Sequence, residues 1–323
     1  MSILPYPAAI SKWEYHRQKT SIIVKKLRKA SQKYTFPEWR VIRMADCSKI
    51  ISYVYCPACG SMHIAKAWLC RDRLCPTCAW RLSLKRIWEM TQTLNYLSIW
   101  QDSACKVAML TLTMKNVKLA DIDKAITEML DAWKLMTKRR PFKAAVKGFC
   151  RSVELTKGTN GTWHPHIHAL LWFDVSYQCD IKQKEWAEMW RQSLKVDYIP
   201  IVDIRAAYSK NNNVSDTWDK LLSATVEATK YVMKNDILLQ CSPKQLVELA
   251  AALKNKLLVS YGGIIRDARR ALKLKDKDQP DEISERTLEC PKCSAEMLEV
   301  TFAWAESANV YELNPIRFHK AAD

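Results

Sequence analysis

The chain has 323 residues, 48% of them hydrophobic, with 51 Lys and Arg against 34 Asp and Glu, a formal charge of +17. That length supports one large domain or two smaller ones with a real core, and that charge favours a polyanionic partner, nucleic acid first. No basic start leads into an apolar leader, and no apolar run reaches the ~18 residues of a spanning helix, which excludes a membrane span and makes a cytoplasmic protein the expectation.

Residues 1–46 form a basic N-terminal arm, in which "HRQKTSIIVKKLRKASQKY" scatters apolar residues through a charged stretch of helical character. Either a solvated helix face or a DNA-binding arm satisfies that pattern. Residues 47–80 change composition to a Cys-rich module. Twelve cysteines in a reducing compartment point to metal and not to disulfides. Cys56 and Cys59, then Cys75 and Cys78, make two CxxC pairs, each with proline after its first cysteine. Two such turns at this separation offer four thiolates to one ion, so a structural zinc site is expected from Cys56, Cys59, Cys75 and Cys78. Cys70 is a fifth candidate that can replace one of the four, and His63 a weaker one. The basic residues interleaved in "CRDRLCPTCAWRLSLKR" suit contact with phosphate.

Residues 81–240 read as one α+β domain. A helix runs through "RLSLKRIWEMTQTLNYLSIW", with Leu84, Ile87, Trp88, Thr91, Leu94 and Leu97 expected as its inner stripe. Strands follow around 106–114, 148–156, 162–173 and 198–208, with helices at about 119–139, 181–195 and 216–235. This order predicts a mostly antiparallel sheet with helices on one face. In residues 241–323, "SPKQLVELAAALKNKLL" reads as a helix capped by Ser242, followed by a polar linker and a final "CPKC" segment; the region is expected to be helical. Cys290 and Cys293 there are half of a second zinc site, completed by Cys47 or by another chain, or a metal-free turn; the spacing leaves all three open.

The chemistry concentrates in "GTWHPHIHALLWF". His164, His166 and His168 alternate in an apolar strand and so point to one side of the sheet, where neutral imidazoles need a ligand to offset their desolvation. An acidic third ligand is expected from the preceding strand. Matching polarity places Val153 and Leu155 with Ile167 and Leu171, which puts Glu154 beside His166 and His168. A strict two-residue turn at Asn160 and Gly161 would give the opposite parity, so the polarity argument requires a longer or bulged loop. In "VEATKYVMKND", Glu227, Tyr231 and Lys234 share one helix face, offering a base, a nucleophile and a charge stabiliser.

These motifs, in this order, resemble the HUH endonucleases. "HPHIH" is similar to their His-hydrophobe-His motif, "VAMLTLTMKN" to the strand motif that precedes it, and "KYVMK" to their Y-x-x-K element. With Glu227 before a single tyrosine and "CRDRLCPTC" upstream, the chain resembles the single-tyrosine rolling-circle plasmid replication initiators over roughly residues 47–240. It departs from their pattern at His164, where asparagine is common.

The resemblance implies an RRM-like sheet in which His166, His168 and Glu154 hold a divalent Mg2+ or Mn2+. It implies attack by Tyr231 with formation of a 5′-phosphotyrosine and a free 3′-hydroxyl, and termination by water that Glu227 activates. It further implies a plasmid origin that is double-stranded with a single-stranded nick site, and a host helicase and DNA polymerase; a homodimer is compatible with it. Two competing functions share parts of the pattern: an HUH single-strand transposase, and a non-catalytic zinc-dependent DNA-binding regulator, which would leave the histidine strand unexplained.

Overall fold

A computed structural model describes residues 8–100, 106–158, 160–173, 181–206, 224–226, 228, 235–274, 283–284 and 289–314. The chain divides into two compact units. One comprises Met1–Leu82, Leu238–Val247 and Gln279–Asp323, and the other Ser83–Ile237 and Glu248–Asp278.

In the first unit, α1 (Ala8–Ser31) and α2 (Glu38–Asp46) precede the hairpin of β1 (Ile50–Tyr55) and β2 (Met62–Ala67). The N-terminal basic segment is a packed helix and not a free arm. Ile10, Trp13, Ile23, Val24, Leu27 and Ala30 of α1 are buried, and the His16 ring stacks on Trp80 at 4.6 Å. The same unit contains β8 (Ile283–Ser284), β9 (Leu298–Ala305) and β10 (Val310–Leu313), which complete a five-stranded sheet in the order β10-β9-β1-β2-β8. The region 241–323, expected to be helical, does carry helices at Pro243–Ala252 and Ile264–Ala271, but its described residues from Leu298 to Leu313 form strands. Its "EVTFAW" run carries the β-branched and aromatic residues that suit a pleated surface.

The second unit is built on a sheet in the order β6-β3-β5-β4-β7, antiparallel throughout. Its strands are β3 (Lys106–Thr113), β4 (Val146–Lys157), β5 (Trp163–Phe173), β6 (Val202–Ala206) and β7 (Val259–Gly263). Alternation divides its residues. Phe149, Val153, Leu155, Ile167 and Leu171 face the layer of α4 (Ile122–Met136), α5 (Arg140–Ala145) and α6 (Gln183–Leu194), where Phe149 meets the Trp133 and Phe142 rings edge-on at 5.1 Å and 6.3 Å. On the other face, Val107, Cys150, Leu170 and Trp172 form a core with Met90 and Leu94 of α3 (Pro76–Trp100), Ala228, and Ile265 of α9 (Ile264–Ala271). That core covers one end of the face and leaves the other to the polar residues of β4 and β5.

The inner stripe of α3 is only partly the expected one. Leu94 is buried and Leu97 packs against the same core, but Leu84 and Trp88 are exposed, and Ser83, Arg86, Glu89, Met90 and Thr93 are buried. The helix is rotated by a charge pair that hydropathy counts as outward-facing: Arg269 Nη2 donates to Glu89 Oε2 at 2.9 Å in the interior. A short α7 (Asn235–Gln240) precedes α8 (Pro243–Ala252). The predicted cap of α8 is present, with the Gln245 N–H donating to Ser242 Oγ at 3.2 Å and the Ser242 N–H donating to Gln245 Oε1 at 3.0 Å.

Gly263 joins β7 to α9 at φ +56, and a Cβ there would stand 1.9 Å from the Lys147 carbonyl oxygen. Both the left-handed backbone and the close approach require glycine. Gly263→Ala is expected to destabilise the sheet unit by at least ~1–3 kcal/mol, lowering its Tm by ~2–4 °C per kcal/mol for a domain of roughly 150–250 residues; thermal melting monitored by circular dichroism checks this.

Candidate metal and nicking site

The β4–β5 register pairs Glu154 with His166, Ser152 with His168 and Val153 with Ile167. The last pair is Lys157 with Trp163, so the connection is longer than a two-residue turn, as the polarity argument required. Within that loop the Asn160 side chain accepts from the Thr162 N–H at 3.2 Å, and Gly161 takes φ +77.

The register places one carboxylate between two imidazoles. Glu154 Oε2 lies 3.2 Å from His166 Nε2 and 3.1 Å from His168 Nε2, and all three side chains are largely buried. Burial pushes the Glu154 carboxyl up, but the hydrogen bonds from His166 and His168 and their charge outweigh it and hold the group well below the usual carboxylate range.

The far nitrogens are each held by a neighbour. His166 Nδ1 lies 3.2 Å from the His164 carbonyl oxygen, which can only accept, so that nitrogen carries a proton. The other nitrogen, Nε2, faces the Glu154 carboxylate and the position that a cation among the three ligand atoms would take. His168 Nδ1 meets Thr111 Oγ1 of β3 at 3.2 Å, its cross-strand partner in the register. Such outer contacts orient metal-binding imidazoles. Two imidazoles and a carboxylate are a donor set for a divalent ion of intermediate hardness. These residues fit such a group, and their ligand atoms lie within 4.8 Å of one another.

His164 stands apart from this trio. Its Nδ1 is 2.6 Å from Asn116 Oδ1, and burial followed by the charge of His166 lowers its pKa. Sequence reasoning missed Thr111 and Asn116, because nothing in a strand sequence identifies which neighbour a histidine will meet across the sheet. Glu227, Tyr231 and Lys234 lie outside the described residues; Ala224 and Ala228, which are helical, pack against the core on the histidine-bearing face.

The cysteines assemble differently from the expected Cys56, Cys59, Cys75, Cys78 set. Cys75 and Cys78 group with Cys47 and Cys70, all buried, while Cys56 and Cys59 group with Cys290 and Cys293. The β1–β2 hairpin explains the separation. Cys47 and Cys70 flank its open end, and Cys56 and Cys59 form its turn, so six-residue strands hold the two pairs roughly 20 Å apart. Cys70 is thus a full member of its group and not a substitute, and Cys47 belongs with it and not with Cys290. His63 is exposed in β2 and belongs to neither.

In the buried group, Cys78 Sγ lies 3.5 Å from both Cys47 and Cys70, and Cys75 Sγ lies 3.6 Å from Cys47. Tetrahedral zinc with Zn–S near 2.3 Å spaces its sulfurs by about 3.8 Å. The Arg71 N–H donates to Cys78 Sγ at 3.2 Å and the Cys70 N–H to Cys47 Sγ at 3.5 Å.

An antiparallel sheet presenting a carboxylate and two histidines, in a strongly basic chain with two four-cysteine groups, defines an α+β protein whose side chains could hold metal ions and whose charge suits nucleic acid. Comparison with known proteins narrows this class. Residues 61–312 match the family model for replication proteins. The chain is 34% identical over 229 residues to a Protein rep of Streptococcus pneumoniae, covering 69% of each. It is 31% identical over 258 residues to a Protein rep of Bacillus amyloliquefaciens, covering 74% of this chain and 75% of that one. A Replication protein of Staphylococcus aureus matches at 28% over 193 residues, covering 57% of this chain and 80% of that one. No solved structure matches significantly. The chain belongs to the replication-protein family, in keeping with its resemblance to rolling-circle plasmid initiators. Among the described residues no helix is long and apolar enough to cross a membrane.

Glu154→Gln is expected to abolish tight Mn2+ binding, and Thr111→Val, which frees His168 to rotate, to weaken it by about 10–100-fold. Isothermal titration with Mn2+ on the folded variants measures both.

Proposed function

We propose that the protein initiates rolling-circle replication of a plasmid by nicking one strand of its origin. The observation that carries this reading is the Glu154, His166 and His168 cluster on the central strands of a replication-family chain. These three residues would hold a divalent Mg2+ or Mn2+, which when bound supplies Lewis acidity at the scissile phosphodiester. Thr111 and the His164 carbonyl keep the two imidazoles turned toward it.

The Tyr231 phenol oxygen attacks phosphorus; its bond to phosphorus forms as the bond from phosphorus to the 3′-oxygen breaks. The phenol loses its proton, the departing 3′-oxygen gains one, and the 5′-phosphate stays joined to Tyr231. Lys234, three residues further along the chain, offsets charge on the phosphate. A host helicase unwinds the duplex, and a host polymerase extends the free 3′-hydroxyl. Glu227, four residues before the tyrosine, then acts as general base for the water that ends the cycle. The excess of basic residues supports binding to the DNA backbone, and aromatic side chains suit stacking on unpaired bases.

The test is incubation with labelled single-stranded origin oligonucleotides, with Mn2+, Mg2+ or chelator, on a denaturing gel. A protein–DNA adduct is expected only with metal, and none with Tyr231→Phe or Glu154→Ala. Glu227→Ala is expected to nick at near wild-type rate while its termination products fall by ~10²-fold or more. DNA binding without an adduct under every metal condition would overturn the reading in favour of a non-catalytic regulator.

A further inference from the structure

The four cysteines at the turn of the β1–β2 hairpin take no part in the proposed chemistry, yet two segments separated by 231 residues converge there. Cys56 Sγ lies 3.5 Å from Cys293 Sγ, Cys59 Sγ lies 3.4 Å from Cys290 Sγ, and all four fall within 4.8 Å of one another. These separations are well beyond the ~2.05 Å of a disulfide and close to the ~3.8 Å between thiolates on one tetrahedral zinc.

The two halves are copies of one local design. In "CPACGS" the Cys56 N–H donates to the Ser61 carbonyl at 2.8 Å, and the Gly60 N–H donates to the Cys56 carbonyl at 2.9 Å. In "CPKCSA" the Cys290 N–H donates to the Ala295 carbonyl at 2.8 Å, and the Ser294 N–H donates to the Cys290 carbonyl at 2.8 Å. Gly60 and Ser294, at the same position of each turn, both take the left-handed conformation, with φ +71 and +55. Ser294 accepts there a backbone that most side chains avoid.

The antiparallel pairing of β1 with β9 brings the turns together, because Tyr55, next to the first knuckle, pairs with Leu298, which follows the second. Val54, Ala65 and Met297 pack around the buried Cys56 and Cys290, while Cys59 and Cys293 are exposed.

We propose that Cys56, Cys59, Cys290 and Cys293 bind a zinc ion that clasps the C-terminal strands to the N-terminal hairpin, and that this ion exchanges faster than one held by Cys47, Cys70, Cys75 and Cys78. An all-thiolate tetrahedral set selects a soft-accepting ion of this kind. Two of its ligands face solvent, open to chelators and electrophiles, whereas all four of the other group are buried. The inference does not depend on the nicking reading.

The test uses the full-length reduced protein. Cobalt substitution, read through the thiolate-to-cobalt charge-transfer band, ignores the Glu154 site, and is expected to give two equivalents in the wild type and one in the Cys290→Ser, Cys293→Ser double variant. One equivalent in the wild type, unchanged in the variant, would sink the proposal, as would mass-spectrometric detection of two disulfides among the four residues. If the variant does not fold, zinc release from the wild type to a chromogenic chelator decides. Two phases are expected, and alkylation quenched after the faster one should label Cys56, Cys59, Cys290 and Cys293. A single phase, or first labelling at Cys47, Cys70, Cys75 or Cys78, overturns it.

Discussion

The register between β4 and β5 is the constraint on which the candidate site depends. Side chains alternate along a strand, so a slip of one residue would send Glu154 into the aromatic layer against Phe142 and Trp133 and bring Val153 and Leu155 to the histidine-bearing face. Burial of Val153 and Leu155 on one face thereby fixes the carboxylate on the other. The hydrophobic effect supplies the driving force, and the polar site inherits its geometry. The β3–β5 register on the other side of β5 places Thr111 opposite His168, so a residue with no chemistry of its own orients one that has it.

A second constraint organises the cysteine unit. Its β1–β2 hairpin is a short rigid spacer with a four-cysteine group at each end. The group at the open end draws on the helices that flank the hairpin in sequence, through Cys47 after α2 and Cys75 and Cys78 at the start of α3. The group at the turn draws on residues from far along the chain. A unit with so modest a set of apolar strands gains folding energy from such sites when they are filled.

Much of this was legible in the sequence, where a local rule sufficed. Period-two alternation located β5 and its histidines, polarity matching identified Glu154 as their neighbour, and the Ser242 cap marked the start of α8. What escaped required long-range information. The grouping of the cysteines follows from which strand pairs with β1, and Cys290 cannot announce Cys59 across that interval. The inner face of α3 was partly misread because Arg86 and Glu89 are buried, Glu89 satisfied by Arg269, and no hydropathy pattern counts a charge as interior. Glu227, Tyr231 and Lys234 are known from their spacing and the resemblance alone.

The path of the chain has a temporal meaning as well. The sheet with the histidines is encoded between the two halves of the cysteine unit, so a ribosome releases its strands β3 to β7 while β1 still lacks its neighbour β9. Domains generally fold as units during synthesis. Here β1 keeps one edge unpaired until β9, encoded after every strand of the other sheet, has been made. The β1–β2 hairpin is thus a template held vacant while the histidine-bearing sheet emerges.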